Sequence, residues 1–283
     1  MIVIIAVIIL VALAFIFMKP IIEGIKEGIV EAKEEAEADT NIENQKINEE
    51  WTIFYEEILK ETEFFERFSL ALAQPYRKIF TNTDLTKLNA SCFSFKKLSE
   101  KQLTELKSVL KRDFGVIDKQ TLTNREENFS KNIDTLKDKL QEEPNFALLL
   151  DDFSFSAPYR MKFQFGTELN LSKKEKNYIN DFENKYHLGI YGAEGFKIGV
   201  LSYLYTSSYE LDFINKYELK EYMEILISEA QELFDSWEIY GESFKIGEYS
   251  ARLNNVLGRK AIELNIKDLI DDQCTPWQNM LWD

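Results

Sequence analysis

The phrase YGAEGFKIG occupies residues 191–199, and YGESFKIG follows at residues 240–247. Two copies of Phe-Lys-Ile-Gly in one chain suggest either a duplicated phosphate-binding loop or a duplicated packing element. A P-loop requires GxxxxGK followed by Ser or Thr, and a dinucleotide-binding loop requires GxGxxG after a strand. The glycines at positions 189, 192, 195 and 199 fit neither spacing, which argues against a nucleotide site.

The packing interpretation explains the repeat better. Each copy places an aromatic residue three positions before a glycine, which is helical spacing: Phe196 with Gly199, and Phe244 with Gly247. Glycine in a helix costs about 1 kcal/mol relative to alanine, so its presence indicates a close backbone approach. We therefore predict two similar helices that cross tightly at Gly199 and Gly247. Chance similarity of a four-residue phrase is the alternative, since Lys and Ile are abundant in this chain.

The composition predicts a folded, mainly α-helical protein. Of the 283 residues 45% are apolar, and only 11 glycines and 5 prolines interrupt the chain, which favours long helices. The formal net charge is −15, from 49 acidic and 34 basic side chains. An acidic chain without a basic stripe repels nucleic-acid phosphates, so we expect no nucleic-acid partner. A basic protein partner is compatible with this charge.

The residues that usually carry catalysis or bind metals are scarce. Cys92 and Cys274 are far apart and lack a CxxC spacing, which predicts two buried thiols in a reducing compartment; a single disulfide is the alternative. His187 is the only histidine, which excludes a multi-histidine metal site. We interpret it as a structural residue at a helix C-terminus, where the helix dipole favours a histidine.

Two pairs of adjacent aspartates are the remaining candidates for chemistry. Asp151–Asp152 and Asp271–Asp272 have the side chains that acid–base or divalent-metal chemistry uses. Neighbouring residues point to different faces of an element, so we interpret both pairs as caps or solvated loops. We therefore predict no catalytic, cofactor-binding or metal-binding residues.

The first 19 residues predict a transmembrane anchor. Residues 1–18 contain no charged or strongly polar side chain, and a bilayer-spanning helix needs about 20 apolar residues, with about 17 near the lower limit. A cleaved signal peptide is the alternative, but the basic segment that begins such a peptide is missing. Lys19, Lys26 and Lys33 follow the apolar segment, so the positive-inside rule places the C-terminal domain in the cytoplasm. We expect a single-pass protein of the inner or plasma membrane, with an extracytoplasmic domain as the alternative.

The remainder divides into a stalk and one domain. Residues 20–46 carry glutamates at every fourth position from 23 to 35, which predicts a solvated helical stalk. Residues 47–283 contain no low-complexity tract or long flexible linker. We therefore predict one helical domain over residues 47–283, with at most a small β-hairpin that includes residues 159–166.

Helical periodicity and capping signals place the main helices of this domain. The pattern from Ile47 onward predicts a long helix that ends near Gln74–Pro75, because the residue before a proline resists helical geometry. Two capping boxes mark helix starts: Ser99 with Gln102, and Ser172 with Glu175. The sequence also predicts a helix over Asn124–Leu140, a helix over Lys216–Trp237 and a helix end at Gly115.

The C-terminal part of the chain resembles a known bacterial family. The stretch AQELFDSWEIYGESFKIGEYSARL at residues 230–253, with the close DDQCTPWQNMLWD at 271–283, is similar to domain of unknown function 1266. The matching positions are Ser236, Trp237, Phe244, Gly247, Thr275, Pro276, Trp277, Leu281 and Trp282. The segment LKRDFGVIDKQTLTNREENFSK at residues 110–131 is also similar, and the resemblance covers about residues 88–283. It implies a helical fold and brings no established activity.

One position departs from the family's pattern. Members often carry an arginine after the second glycine of the repeat, and Glu248 stands there in this chain. This weakens any role of the position as a ligand-binding arginine. We assign eight residues to a structural motif that is also a candidate interaction region: Gly199, Ser236, Trp237, Phe244, Gly247, Pro276, Trp277 and Trp282.

These observations predict a noncatalytic, membrane-tethered interaction protein with an acidic helical domain. Its C-terminal Pro-Trp and Leu-Trp residues are expected to pack back against the helix that contains Trp237. Two alternatives remain open: an immunity-type protein that neutralises a basic toxin, and a carboxylate- or metal-dependent hydrolase. The partners that we expect are the lipid bilayer, through residues 1–19, and a protein that is basic in character.

Overall fold

The computed structural model describes residues 49–80, 92–95, 98–142, 153–154, 162–163, 172–251, 256–272 and 274–282. The chain divides into two compact units, residues 1–57 and 58–283. The predicted anchor and stalk, residues 1–19 and 20–46, lie outside the described residues. In the described part of the chain, no helix combines the length and the apolar character that a membrane span requires.

The described residues are mainly helical, which confirms the predicted fold class. A two-residue antiparallel pair, Phe153–Ser154 with Lys162–Phe163, forms the strands β1 and β2. The helices are α1 (residues 49–61), α2 (Phe64–Phe80), α3 (Glu100–Val109), α4 (Lys119–Glu142), α5 (Lys173–Lys185), α6 (Leu188–Tyr191), α7 (Glu194–Glu210), α8 (Lys216–Leu233), α9 (Trp237–Ala251), α10 (Val256–Asp271) and α11 (Pro276–Asn279).

The two predicted capping boxes and the glycine stop are confirmed, whereas the helix predicted over Asn124–Leu140 begins earlier, at Lys119. Ser99 and Ser172 each accept from the backbone N–H three residues on, and the side chain at that third position accepts back from the N–H of the cap. Gly115 ends the α3 region at a φ of 68°, which a residue without Cβ adopts most readily. The five residues before it, Leu110–Phe114, form a π-helical turn that buries Leu110 and Phe114.

Helix α2 passes through Pro75, so the predicted helix end at Gln74–Pro75 is wrong. Proline lacks the N–H that would bond the carbonyl four residues earlier, which is that of Ala71. Here the Ala71 carbonyl accepts a hydrogen bond from the Trp277 indole at 2.9 Å. The next carbonyl, that of Leu72, accepts from the Tyr240 hydroxyl at 2.7 Å. Distant side chains therefore donate to the carbonyls at the proline, and the helix continues.

The helix predicted over Lys216–Trp237 is also wrong at its C-terminal end. Helix α8 ends at Leu233, and Trp237 is the first residue of α9. Ser236 Oγ accepts from the Ile239 N–H at 3.4 Å, and the Ser236 carbonyl accepts from the Tyr240 N–H at 3.1 Å. Ser236 therefore begins the second helix, because a serine hydroxyl satisfies the first N–H groups of a helix.

Helix α7 lies at the centre of the second unit. Fourteen of its 17 residues are buried, and it packs against α2, α4, α8 and α9. A helix that is buried on nearly all sides is stable only inside a fold, because it has no polar stripe to face water. Both copies of the repeated phrase lie in this interior, the first in α7 and the second in α9.

Candidate functional site

The repeated phrase forms a helix crossing with reciprocal contacts. A methyl group built on Gly199 would lie 2.4 Å from Phe244 Cε2, and one built on Gly247 would lie 2.2 Å from Phe196 Cβ. Each phenylalanine of one copy thus packs onto the glycine of the other copy. The two rings meet edge to face, with centroids 5.6 Å apart. This is the tight crossing that the repeat predicts.

The crossing is locally close to two-fold symmetric. The copies align as EGFKIG (194–199) and ESFKIG (242–247), so Gly195 and Ser243 are equivalent positions. Those two residues are in contact, because the Gly195 N–H donates to Ser243 Oγ at 2.9 Å. Ser243 Oγ in turn donates to the Tyr191 carbonyl. A side chain at position 195 would collide with α9, since its Cβ would lie 2.7 Å from the Phe244 backbone nitrogen.

The lysines of the two copies extend to the edge of the crossing and form ion pairs. Lys197 Nζ lies 3.4 Å from Glu194 Oε2 and 3.0 Å from Glu229 Oε2. Lys245 Nζ lies 2.6 Å from Glu242 Oε1 and 4.7 Å from the centre of the Tyr178 ring. Burial lowers the pKa of Lys197, but the two carboxylates outweigh it and raise this pKa above the ordinary value. The phrase is therefore a packing element with its charges paired, and it contains no phosphate cradle.

The tryptophans at the C-terminus close the same interior from the other side. The Trp237 ring stacks on Trp277 with centroids 5.4 Å apart and meets the edge of Trp282 at 4.5 Å. The Trp237 indole donates to the Met280 carbonyl at 2.9 Å, and Gln231 Nε2 donates to the Trp282 carbonyl at 3.0 Å. We call Trp237, Trp277 and Trp282 the tryptophan closure. It agrees with the predicted return of the C-terminal segment onto the helix that contains Trp237.

Pro276 and its neighbour direct the chain into this closure. Thr275 is the N-cap of α11, and its Oγ1 donates to the Leu269 carbonyl at 2.6 Å. Pro276 is the first residue of that helix, where its missing N–H has no helical partner to lose. Both residues are buried, so they join the end of α10 to the closure.

A buried ion pair, which the sequence patterns did not indicate, joins α2 to the C-terminal end of α7. The Arg77 guanidinium donates to both carboxylate oxygens of Glu210, at 2.8 and 2.7 Å, and both side chains are almost completely buried. Burial lowers the pKa of Arg77, but the Glu210 carboxylate outweighs burial and raises it. Burial also raises the pKa of the neighbouring Tyr203 hydroxyl well above its ordinary value. These groups are sealed inside the fold, where they specify how the helices pack.

Glu248 is a second buried carboxylate. It is fully buried, and its Oε2 accepts a hydrogen bond from the Tyr76 hydroxyl at 2.8 Å. This contact connects α9 to α2 directly behind the helix crossing. The position where relatives often carry arginine therefore lies in the packed interior of this chain.

The other candidates for chemistry lie outside these clusters. His187 is exposed and directly follows Tyr186, the C-cap of α5, so it lies at a helix C-terminus as predicted. It is also the N-cap residue of α6, and a positive charge is not favoured at a helix start, so the dipole argument is weaker than predicted. Asp271 ends α10, and Asp272 Oδ1 accepts from the Cys274 N–H at 2.9 Å, as a turn residue does.

Two candidates for chemistry remain, the first aspartate pair and the cysteines. Asp151 and Asp152 lie outside the described residues. Cys92 is buried and Cys274 half-buried, and both are thiols, so the alternative of a single disulfide is wrong. Among the described residues, no group of three His, Cys, Asp or Glu side chains has the arrangement of a metal site.

The outward face of α8 exposes two large apolar side chains. Tyr217 is 87% exposed and Ile225 is 57% exposed. A shallow, open depression of about 600 Å³ lies along this face. The described residues that line it all belong to α8: Tyr217, Lys220, Glu221, Glu224, Ile225, Ser228, Glu229 and Glu232. We call this set the α8 face.

The fold and these clusters define an α-helical domain whose motif residues close its own core. The sequence profile of the proteins of unknown function called DUF1266 matches residues 98–282, which is more than half of the chain. The chain therefore belongs to the DUF1266 family. No curated protein and no solved structure matches the chain. Helix α2, which supplies the carbonyls for Tyr240 and Trp277, precedes the matched residues and completes the core of the family domain.

Proposed function

We propose that this chain is a noncatalytic, single-pass membrane protein whose acidic helical domain lies in the cytoplasm and binds another protein. The membrane part rests on the uncharged apolar residues 1–18 and on the lysines that follow them. The binding part rests on the α8 face. A helix that exposes an isoleucine and a tyrosine beside four glutamates has the mixture of apolar and charged groups found in protein interfaces.

The interior residues support binding over catalysis. The indoles of Trp237 and Trp277 and the hydroxyl of Tyr240 each donate to a backbone carbonyl. Arg77 and Glu210 pair with each other far from solvent. Groups that are used in this way hold helices together, and these buried polar groups are occupied by contacts within the protein. The exposed surface is therefore where this domain meets its partner.

The membrane part is tested by extraction. The full-length chain with a C-terminal tag should remain in the membrane pellet after alkaline carbonate treatment, and a variant without residues 1–19 should move to the supernatant. Protease added outside intact cells or spheroplasts should leave the tag intact, and lysis should expose it. Release of the full-length chain by carbonate, or cleavage of the tag from outside, would contradict the proposal.

The binding part is tested by cross-linking the full-length chain in its native membranes. We expect one stoichiometric protein partner, retained without residues 1–19 and lost when residues 58–283 are deleted. A basic toxin that this domain neutralises would be one example of such a stoichiometric partner. Repeated absence of any partner, together with turnover of a metabolite by the purified chain, would replace this proposal with an enzymatic function.

A further inference from the structure

The α8 face has a definite pattern along the helix. Tyr217, Glu221, Ile225, Ser228 and Glu232 follow each other at intervals of four, four, three and four residues, so they form one stripe along the outward side. The two large apolar side chains are eight residues apart, which is about 12 Å at 1.5 Å per residue. This stripe runs over nearly the whole length of the helix and points away from the core residues Leu219, Met223 and Leu226.

Only part of the negative charge on this face is balanced. Glu224 Oε1 lies 3.5 Å from Lys220 Nζ, and Glu229 pairs with Lys197. Among the described residues, Glu221 and Glu232 have no cation within 4 Å, although Lys119, which pairs with Glu218, also attracts Glu221 from a greater distance. They flank Ile225 on either side and are eleven residues apart, which is about 16 Å along the axis.

We infer that the α8 face is the docking surface for a cationic amphipathic helix of another protein. This inference rests on the proposed function and adds the site and the chemistry of the partner. An apolar side chain of the partner covers Ile225, and two lysine or arginine side chains reach Glu221 and Glu232. The partner helix lies along α8, so its two cations are also separated by about 16 Å.

Exposed apolar side chains alone fit several classes of partner. The negative charge of the α8 face favours a cationic helix over the other classes. Anionic lipid headgroups and nucleic-acid phosphates are repelled by unbalanced carboxylates. An acidic helix is repelled for the same reason. A cationic helix gains both the apolar contact and the opposite charge, and the charge also increases its association rate.

A synthetic peptide tests the inference on the full-length chain in detergent micelles. The probe is a fluorescent 18-residue helix with a leucine stripe and two lysines eleven positions apart; its control carries glutamates in place of the lysines. We expect the lysine peptide to bind with saturation and the glutamate peptide not to bind, as measured by fluorescence anisotropy. Affinity should fall as salt is raised, because exposed charge pairs are screened.

Variants of the chain locate the binding. Ile225→Ala should weaken the lysine peptide about tenfold, since it removes a large part of an apolar contact. The double variant Glu221→Lys with Glu232→Lys should weaken it by tenfold or more. The control is Glu105→Lys on α3, which makes the same glutamate-to-lysine change at an exposed position away from the α8 face. That control should change the affinity less than twofold.

Equal binding to all of these variants, or no binding to the wild-type chain, overturns the inference. A photo-reactive residue placed at Ser228 on the α8 face, and in parallel at the exposed Ser108 on α3, separates this failure from failure of the proposed function. Cross-links to a protein from position 108 alone leave the proposed function in place and reject the α8 face. Cross-links from neither position, together with no partner in native membranes, reject both.

Discussion

The helix crossing and the tryptophan closure seal the same interior in opposite ways. At the crossing, Gly199 and Gly247 contribute no side chain, and the partner phenylalanine occupies the space beside each backbone. At the closure, three indole rings fill the space, and two of their N–H groups require carbonyl partners. The crossing is therefore sensitive to added atoms, and the closure is sensitive to removed atoms.

The two regions also differ in what they need from the rest of the chain. At the crossing, each glycine–phenylalanine contact joins α7 to α9, and the residues in contact are about fifty positions apart. The closure depends on Pro75 in α2, because that proline leaves the Ala71 carbonyl available to Trp277, 206 positions away. The first region is therefore visible in the sequence as a repeat, and the second depends on contacts between distant segments.

Removing Trp277 should have the largest effect. Trp277→Ala deletes a buried ring and leaves the Ala71 carbonyl beside a proline without a donor, so we expect a loss of about 4 kcal/mol in the free energy of unfolding. Urea unfolding followed by circular dichroism measures this loss. The matched variant Trp277→Phe keeps an aromatic ring and removes the N–H, and it should cost about 1 kcal/mol. An unchanged melting temperature in Trp277→Ala would contradict the closure.

Adding one methyl group at the crossing should have the next largest effect. In Gly247→Ala the new Cβ would lie 2.2 Å from Phe196 Cβ, an atom that moves only with its backbone. We expect a net loss of about 3 kcal/mol, because the overpacking outweighs the gain in helix propensity. Denaturant unfolding checks the value.

A second-site variant tests whether the cause is the collision. Phe244→Leu removes Cε2, the ring atom nearest to a Cβ at position 199, so combined with Gly199→Ala it should cost clearly less than the sum of the two single changes. At the other glycine the nearest atom is Phe196 Cβ, which leucine also carries, so Phe196→Leu should relieve Gly247→Ala much less. Strict additivity in the Gly199→Ala cycle would mean that this glycine is needed for some other reason.

The sequence patterns predicted the crossing and several helix starts, because the signals for these features are local. Ser99 and Ser172 lie three residues from their capping partners, and a repeated phrase is visible without knowledge of the fold. The passage of α2 through Pro75 was not predictable, since it depends on donors from Tyr240 and Trp277, far along the chain. The burial of Glu248 was missed for the same reason, because Tyr76 is 172 positions away.

Local sequence patterns indicate two further features, the boundary between α8 and α9 and the α8 face. Ser236 precedes a helix start, and serine is a favoured N-cap, so the boundary between α8 and α9 was present in the sequence. The α8 face lies on the side of the helix opposite its buried residues. Tyr217 and Ile225 occur at helical spacing opposite the core residues, and that spacing marks them as exposed apolar residues.

Alkaline pH tests a residue that belongs to both regions. Burial raises the pKa of Tyr240 well above its ordinary value of about 10. Above pH 10 the unfolded chain loses this proton and the folded chain keeps it. The contribution of Tyr240 to stability is therefore constant well below pH 10 and falls above it. Tyr240→Phe removes one such group. Between pH 10 and 11 the variant should lose about 1 kcal/mol less than the wild type, measured by urea unfolding at each pH; equal losses would contradict the burial of this hydroxyl.

The smallest expected effect distinguishes the two copies of the repeat. Lys197 bridges Glu194 and Glu229 on different helices, whereas Lys245 pairs with Glu242 within one turn of α9 and lies over the Tyr178 ring. Lys197→Met should therefore cost about 1 kcal/mol, because it leaves the nearly buried Glu194 with one fewer cation. Lys245→Met should cost about 0.5 kcal/mol, because it loses a local pair while the methionine sulfur can still contact the Tyr178 ring. Denaturant unfolding of both variants provides the comparison. Equal costs would mean that the lysine, like the glycine, has the same role in both copies.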